Sequence, residues 1–416
     1  MTSKDAILEA MQFSQLAGRT LNTTNAPALT ITYEFAGNSK PDDLWTNSLS
    51  GWRAFDADEK AAIRDALAHF ETIINVDFVE VSGAADPDFN FGMISLPGPV
   101  AGQGGWNASF SGGEIVLDSF AAFDKTLDIT RLPSLIIHEI GHGLGLKHPF
   151  EGPSLPANEE NNKYTVMSYS ANPDNGRDSD ALMLYDIVAL QDLWGEAENN
   201  EGNTTYNGRR TTTVDSIWDT GGTDTLDATG FNGGVTLRLK EGAFSQFGNY
   251  EDVSIAFGTV IENAKGGGGA DEVYGNQSAN LLQGGAGNDK LVGRRGFDTL
   301  EGQTGNDKMF AGGGRDELKG GTGADLLRGG QGSDTMWGGA DADRFMFRKT
   351  WDNDKVMDFE DDIDVLLLKG FGFGNAAQAL DTARQAGDNV IFEFGDNDML
   401  TVRNTSLGAL EDDIIV

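Results

Sequence analysis

The first half of the chain carries two kinds of hydrophobic periodicity. Leu29–Phe35 places apolar and polar side chains in turn, which predicts a half-buried strand. Asp56, followed three residues later by Glu59, is a capping-box signal for a helix that runs to about Ile74. Further strands are predicted at Val76–Val81, Phe89–Phe91 and Glu114–Leu117. Strand, helix and strands in this order predict an α+β domain.

A third periodicity begins at Gly266, where an apolar residue returns at every ninth position. Nine consecutive nonapeptides fit G-G-x-G-x-D-x-U-x, in which U is apolar. The U position holds Val273, Leu282, Leu291, Leu300, Met309, Leu318, Leu327, Met336 and Phe345. The acidic position holds Asp271, Asp289, Asp298, Asp307, Asp316, Asp325, Asp334 and Asp343, with Asn280 in the second repeat. A flexible glycine-rich linker, the alternative interpretation, has no need of this apolar spacing.

The chemistry of the repeat predicts calcium. Its glycines permit a tight turn, its tail forms a short strand with one inward side chain, and the aspartate is left at the turn. Carboxylate and turn carbonyl oxygens are hard ligands, which suit calcium rather than zinc. Asn280, Arg294, Gln303 and Asp341 depart from the motif, so fewer turns than repeats are expected to hold an ion.

A different metal is predicted at Ile136–Pro149, which contains the pattern H-E-x-x-H-x-x-G-x-x-H. His138 and His142 stand one helical turn apart on one face, where two imidazoles can hold one cation. Glu139 points to the neighbouring sector and is placed to act as a general base. Gly145 lets the chain leave the helix, so that His148 returns as a third ligand. Three ligands leave one zinc position open, as in catalytic sites.

Three of the chain's four histidines lie in this motif. The fourth, His69, is predicted to be a partly buried structural residue of the first amphipathic helix. A buried helix with incidental histidines is the alternative interpretation of the motif. It would place three imidazoles and a carboxylate in a core without partners, which is costly.

The extended zinc motif resembles that of the metzincin metallopeptidases, and Tyr164–Tyr169 looks like their methionine turn. His148-Pro149, the Met-Ser-Tyr triplet and Leu184–Gly195 are similar to the serralysins, which are secreted bacterial endopeptidases. The resemblance implies that Met167 forms an apolar floor under the zinc and that Tyr169 ligates zinc at rest and turns to the oxyanion. Without the family, Met167 would be a core methionine and Tyr169 a surface aromatic.

The same resemblance implies an extended substrate on the last strand before the zinc helix. Residues 113–118 are the candidate edge, with Gly113, Glu114, Ile115 and Val116 as substrate-binding residues. Only 18 residues stand between His148 and Met167, fewer than in typical serralysins. This loop borders the cleft, so the family's substrate preference does not carry over to this chain.

The nonapeptides resemble the parallel β-roll of RTX proteins, in which strands alternate between two sheets and calcium lies between turns of repeats n and n+2. Nine repeats then allow at most seven such sites. The resemblance also implies a calcium site near the domain junction, with Asp219, Asp224 and Glu262 as matching ligands. The family's upstream ligands near Arg209 and Arg210 are not clearly present.

Composition excludes several classes of protein. The 416 residues carry a net charge of −35, which argues against nucleic acid or an anionic membrane as partners. Cysteine is absent, which excludes disulfides and cysteine-based zinc sites. No apolar run is long enough to span a membrane, and the first twenty residues show no secretory h-region. The ending Glu411–Val416 resembles the uncleaved C-terminal signal of type I secretion.

These observations divide the chain into five segments. Residues 1–26 form an N-terminal segment whose helix, predicted at residues 5–16, either packs on the domain or covers the cleft as a propeptide. Residues 27–195 form an α+β zincin-like (metzincin) catalytic domain, closed by a helix at Leu182–Trp194. Residues 196–265 form a linker and β junction, residues 266–346 an all-β parallel β-roll, and residues 347–416 a β cap with the secretion signal.

The predicted function is that of a secreted extracellular bacterial zinc endopeptidase, in which Glu139 acts on a zinc-activated water. One catalytic zinc and several structural calcium ions are the expected cofactors. Protein or peptide substrates and the type I secretion apparatus are the expected partners, a protein inhibitor is left open, and a monomer without nucleic acid or membrane insertion is expected. The alternatives are a calcium-dependent adhesin with a vestigial peptidase domain and a narrow processing peptidase.

Overall fold

The structure is a computed structural model. It describes residues 2–16, 18–41, 49–83, 86–111, 114–208, 215–349, 352–395 and 398–416. The chain divides into two compact units, Met1–Glu201 with Arg210–Thr220, and Gly202–Arg209 with Gly221–Val416. The first boundary falls close to the predicted linker. Within the described residues, no helix is long and apolar enough to cross a membrane.

The first unit combines a mixed sheet with four α-helices among its described residues. Its helices are α1 (Lys4–Met11), α2 (Ala57–Glu71), α3 (Pro133–Gly143) and α4 (Leu184–Trp194). Its strands before α3 are β1 (Leu29–Phe35), β2 (Ser50–Arg53), β3 (Val76–Glu80), β4 (Phe89–Ser95), β5 (Gly102–Gly105), β6 (Ala108–Ser111), β7 (Glu114–Leu117) and β8 (Ser119–Asp124). The main sheet has the order β3-β1-β4-β8-β5, and β2 pairs with β4.

Local sequence explains the helices that bear on the site. The capping box is confirmed, because Asp56 accepts from the Glu59 N–H and the Glu59 side chain accepts from the Asp56 N–H. α2 therefore begins where the sequence predicts. α3 begins at Pro133, whose missing N–H costs nothing in a first turn. Gly145, with φ of +103°, allows the chain to leave α3.

The N-terminal helix packs on the first unit like an ordinary structural helix. Ile7, Ala10 and Met11 are buried. The Gln12 side chain donates to the Ala189 carbonyl oxygen of α4 over 3.0 Å. These contacts hold α1 against α4, and none of its residues lines the groove described below.

The prediction for the sheet edge is wrong. Among the described residues, Glu114–Leu117 pairs with Ala108–Ser111 alone, in a separate two-stranded ribbon, and Gly113 lies outside those residues. The antiparallel edge of the main sheet is β5, which pairs with β8. The sequence pattern does not reveal this edge, because β5, with the sequence Gly-Gln-Gly-Gly, has no hydrophobic alternation.

Strands dominate the chain beyond α4. They are β9 (Thr205–Tyr206), β10 (Asp215–Ile217), β11 (Thr225–Asp227), β12 (Thr236–Arg238), β13 (Phe244–Gln246), β14 (Glu251–Ile255), β15 (Asn263–Lys265), β16 (Glu272–Tyr274), β17 (Leu281–Ala286), β18 (Lys290–Arg295), β19 (Thr299–Thr304), β20 (Lys308–Gly313), β21 (Glu317–Thr322), β22 (Leu326–Gln331), β23 (Thr335–Ala340), β24 (Arg344–Arg348), β25 (Asn353–Val356), β26 (Val365–Lys369), β27 (Ala383–Ala386), β28 (Asn389–Gly395), β29 (Asp398–Val402) and β30 (Ile414–Ile415). A short helix, α5 (Ala376–Leu380), precedes β27.

Successive repeats alternate between two parallel sheets, as predicted for a β-roll. Leu291 of β18 lies beside Met309 of β20, and Leu282 of β17 lies beside Leu300 of β19. Each step between paired strands is two nonapeptides. Every U-position side chain is fully buried between the sheets. The predicted cap strands continue these sheets, because β26 pairs with β24 and β25 pairs with β23 and β29.

Candidate metal centre and cleft

Three imidazoles converge at the C-terminal end of α3. The ligand atoms of His138, His142 and His148 all lie within 4.8 Å of one another. The Nε2 atoms of His142 and His148 are 3.1 Å apart. Tetrahedral zinc with nitrogen ligands at about 2.0–2.1 Å requires nitrogens about 3.3 Å apart, so this set fits zinc.

The other ring nitrogen of each histidine is already used. His138 Nδ1 donates to the Val166 carbonyl oxygen over 2.9 Å. His142 Nδ1 donates to the Leu146 carbonyl oxygen over 2.8 Å, and His148 Nδ1 lies 2.8 Å from a Glu151 carboxylate oxygen. These acceptors fix each ring so that Nε2 faces the shared centre.

Burial keeps the two helical imidazoles neutral. Desolvation lowers the pKa of His138 to about 4 and, with His138 as a second cause, that of His142 to about 3. A neutral imidazole has a free lone pair, which a metal ligand needs.

Glu139 lies beside the histidine cluster and is buried against β5. Burial raises the pKa of its carboxyl to about 8, and an N–H bond from Gly104 works in the opposite direction. A Cβ on Gly102 would lie 2.4 Å from Glu139 Oε1, and one on Gly104 would lie 2.4 Å from the Glu139 carbonyl oxygen. The two glycines therefore let the edge strand approach α3. Sequence reasoning missed them, although Gly-Gln-Gly-Gly just before Trp106 was a visible signal.

Two exposed aromatic side chains stand over the cluster. Tyr169 is 70% exposed, and its hydroxyl oxygen lies 2.7 Å from His148 Nε2. Phe150 is 43% exposed and stacks on the His148 ring at a centroid distance of 4.9 Å. Desolvation by burial and the negative charges of Glu139 and Glu151 raise the pKa of Tyr169. The Tyr169 hydroxyl therefore stays protonated and can donate a hydrogen bond. Phe150 was not predicted as a site residue.

Met167 packs against α3. It is fully buried, and a Cβ on Gly141 would lie 2.9 Å from its Sδ. The turn is held by Asp186 of α4, which accepts from the Thr165 hydroxyl at 2.6 Å and from the Val166 N–H at 2.8 Å. Asp186 also accepts from the Met183 N–H, and sequence reasoning did not identify it.

A groove of about 460 Å³ runs past His138 and Glu139. Its lining mixes apolar side chains with a few polar ones. The lining residues are Pro99, Val100, Ala101, Gly102, Leu132, Ser134, Leu135, His138, Glu139, Asn162, Val166, Ser168, Tyr169 and Asp178. Val116, one of the predicted substrate residues, is not among them.

The roll presents buried carboxylate oxygens without partners. In each sheet, Oδ1 of a motif aspartate accepts the N–H of the acidic-position residue two repeats earlier, as Asp307 does for Asp289 over 2.7 Å. The Oδ2 atoms are buried and accept no hydrogen bond in Asp289, Asp298, Asp307, Asp316, Asp325, Asp334 and Asp343. Burial raises the pKa of these carboxyls, to about 8 for Asp334. Such oxygens at glycine turns fit a hard cation.

Asn280 differs from the aspartates. Its amide Nδ2 donates to the Glu262 carbonyl oxygen and to the Asn276 side chain, and its Oδ1 accepts the Asn276 N–H. The amide thus satisfies its own turn. Asp271 also differs, because its Oδ2 accepts from the Gly267 N–H.

The predicted junction ligands fall in different units. Asp219 belongs to the first unit, whereas Asp224 and Glu262 belong to the second. The Asp224 N–H donates to Glu262 Oε2 over 2.8 Å. Arg209 and Arg210 lie outside the described residues.

The first unit contains a candidate metal centre made of three histidines, and a parallel β-roll follows it in the sequence. The family model for the C-terminal part of the serralysins, described as Peptidase M10 serralysin C terminal, matches residues 195–413. The chain belongs to the serralysin family.

Curated relatives agree with this assignment. The chain is 31% identical to a serralysin of Photorhabdus luminescens over 329 residues, which cover 68% of this chain and 65% of that protein. It is 32% identical to metallopeptidase AprA of Pseudomonas marginalis over 298 residues, 61% of each protein. It is also 32% identical to a serralysin of Proteus mirabilis, covering 55% of this chain and 56% of the relative. The matched region thus spans 56–65% of these relatives, less than two thirds of each.

Proposed function

We propose that this protein is a secreted, zinc-dependent endopeptidase of the metzincin type that hydrolyses peptide bonds in proteins. The observation that carries the proposal is the convergence of three Nε2 atoms beside a buried carboxylate at the edge of a groove. Relatives named serralysin and metallopeptidase support the same reaction.

His138, His142 and His148 would hold the zinc. When bound, zinc acts as a Lewis acid and lowers the pKa of a water ligand to about 7. The donor set fits it because the three rings are fixed by their Nδ1 acceptors and two are kept neutral by burial.

Glu139 and Tyr169 would supply the proton transfers and the oxyanion donor. The Glu139 carboxylate takes a proton from the attacking water and passes it to the leaving amine. A nearby cation would favour its ionised form and counter the effect of burial on its pKa. The Tyr169 hydroxyl, at the rim beside His148, donates to the developing oxyanion.

The free side of β5 is the proposed place for substrate backbone. β5 is the edge strand and lies against Glu139 through Gly102 and Gly104. An extended peptide added to this edge would pair its backbone with β5 and bring a peptide bond to the base. This assignment replaces Gly113–Val116.

Calcium is the proposed stabiliser of the roll, because the unpartnered Oδ2 atoms are carboxylate ligands at glycine turns. Extracellular calcium modules have dissociation constants of about 10⁻⁴–10⁻³ M, so the roll would order outside the cell. Export by a type I apparatus, and a protein inhibitor as a further partner, remain proposals from the family resemblance. The residues of the site are intact, so no observation favours the adhesin with a vestigial peptidase domain.

Casein digestion by Glu139→Ala tests the proposed reaction. Loss of the base should lower turnover by roughly 10²- to 10⁴-fold while zinc content stays near one ion per chain. Asp77→Ala, which removes an exposed carboxylate of β3, is the matched control and should retain full activity. 1,10-Phenanthroline should abolish activity of the unmodified chain, and added zinc should restore it. Near-normal digestion by Glu139→Ala would remove the assigned base.

A further inference from the structure

The outer faces of the two roll sheets differ in charge. We name the outer surface of β16, β18, β20, β22 and β24 the basic face. These strands, all of whose residues are described, carry seven lysines and arginines and one acid, Glu272. In the opposite sheet, β17, β19, β21 and β23 carry Lys319 against Glu301 and Glu317. The whole chain has a net charge of −35, so this excess of lysines and arginines is a local feature of the roll.

Part of the basic face is an in-register column in which three of four successive positions are cations. Lys290 lies beside Lys308, and Leu326 and Arg344 follow on the next two strands. Adjacent strands are about 4.8 Å apart, and like charges directly opposite each other are destabilising. Lys290 lies 3.8 Å from Glu272, whereas Lys308 and Arg344 have no ion-pair partner among the described residues. Lys308 and Arg344 are thus exposed cations.

A second column, next to the first, is largely apolar. Tyr274, Val292, Phe310 and Met346 occupy outward positions and are half-buried. Arg328 interrupts them, and burial together with the neighbouring charge of Arg348 lowers its pKa. The basic face therefore pairs a row of cations with a flat row of mainly apolar side chains.

The opposite sheet neutralises its own charges. Lys319 lies 3.3 Å from Glu301 and 4.0 Å from Glu317. Gln283 donates to Glu301 over 2.8 Å. The contrast shows that the repeat itself does not require an unpaired basic surface.

We propose that the basic face binds an anionic polysaccharide. Its acidic groups pair with the column of Lys308 and Arg344, and the C–H faces of its sugar rings lie on Val292, Phe310 and Met346. Because charges beyond about 8–10 Å are screened at physiological salt, the local cations outweigh the overall negative charge.

The side chains of this surface favour a saccharide over other polyanions. Of the apolar column, Tyr274 and Phe310 carry aromatic planes, but Val292 lies between them, so successive nucleic-acid bases have no continuous stacking platform. The surface is the face of a sheet and not a free edge, so it offers no backbone groups to extend a peptide strand. This function is independent of the proposed peptidase reaction.

The test is binding of fluorescently labelled hyaluronate oligosaccharides to the full-length chain at fixed free calcium. K308E/R344E should raise the dissociation constant by about tenfold or more, equivalent to at least 1.4 kcal/mol. K319E/K355E changes the total charge equally on the opposite sheet and should raise it less than about twofold. Phe310→Ser should weaken binding more than Trp337→Ser, its counterpart on the opposite sheet. Calcium-dependent melting of each variant verifies that the roll is folded.

Competitors decide the identity of the polymer. Neutral dextran should not compete, and polyglutamate and duplex DNA should compete at least about tenfold more weakly than hyaluronate. Equal competition by either polyanion would overturn the saccharide assignment. Equal weakening by both pairs of charge reversals, or no binding by the unmodified chain, would remove the basic face as a binding surface.

Discussion

At the scale of single residues, the histidine cluster depends on acceptors that the zinc motif does not contain. His138 and His142 use backbone carbonyls, whereas His148 relies on the Glu151 carboxylate. Glu151 lies in a short loop whose carbonyls at Glu151 and Pro153 accept from buried Lys147. The third ligand is therefore oriented by a side chain that only the folded loop brings near it.

Removing the Glu151 carboxylate should weaken metal binding. Glu151→Ala leaves His148 Nδ1 without its acceptor, and loss of such a partner costs about 10- to 100-fold in metal affinity. Competition with a zinc chelator measures this. Glu151→Gln keeps an acceptor oxygen and should recover most of the affinity. If the alanine variant holds zinc as tightly as the parent, Glu151 does not orient the ligand.

Tyr169→Phe should separate turnover from metal content. The variant keeps the ring beside His148 but loses the hydroxyl, and removing one oxyanion donor costs roughly 10²- to 10³-fold in turnover. Zinc analysis alongside peptide hydrolysis gives both quantities on one sample. Parallel loss of zinc and activity would make Tyr169 a structural ligand instead.

At the scale of elements, α3 is held between a glycine-rich edge strand and a turn fixed from α4. β5 reaches Glu139 because Gly102 and Gly104 lack Cβ atoms. The methionine turn is held by Asp186, whose carboxylate accepts from Thr165, Val166 and Met183. The hydrophobic periodicity of one helix or strand predicts neither of these two contacts.

Asp186→Asn should destabilise the first unit by about 1–3 kcal/mol, because an amide N–H₂ would face a backbone N–H donor. Burial raises the pKa of Asp186 to about 7. A raised pKa means that the wild-type carboxyl contributes most at low pH and less as pH rises to about 7, so the gap in stability should narrow between about pH 4 and pH 7.

Thermal unfolding at the two pH values measures both effects. Asp192→Asn, at a half-buried position of the same helix, is the control and should show no loss of this size. A gap that widens with pH would mean that the three donors outweigh burial and keep Asp186 ionised.

At the scale of the whole molecule, the roll contains rows of buried aspartates, and in most of them only one of the two carboxylate oxygens accepts a hydrogen bond. Each Oδ1 has a backbone N–H, as in the pair Asp289 and Asp307, whereas the Oδ2 atoms of all the motif aspartates except Asp271 are buried without one. Leaving a buried charged oxygen unpaired is costly, so the folded roll requires a counter-ion or protonation.

Calcium should therefore raise the melting temperature of the chain, and EGTA should lower it. Asp307→Asn should reduce the number of calcium ions bound. Asn280→Ala should not, because that amide already satisfies its own turn. Isothermal titration calorimetry counts the ions, and an unchanged melting temperature with EGTA would contradict calcium as the counter-ion.

The sequence by itself determined the periodic parts of the protein. The spacing of His138, Glu139, His142, Gly145 and His148 was enough to place the helix and its exit turn, because these depend on neighbours within a few residues. The nonapeptide step likewise fixed the alternation of strands and the buried U positions, since each repeat meets its copy two repeats away.

Only the tertiary structure decided which strand lies at the cleft and which residues orient the ligands. β5 lacks alternation, Glu151 belongs to an irregular loop, and Asp186 acts across 20 residues on Val166. Their roles arise where distant segments meet, so no local pattern carries them. The charge asymmetry of the roll has the same origin, because parallel stacking gathers side chains 18 residues apart onto one face.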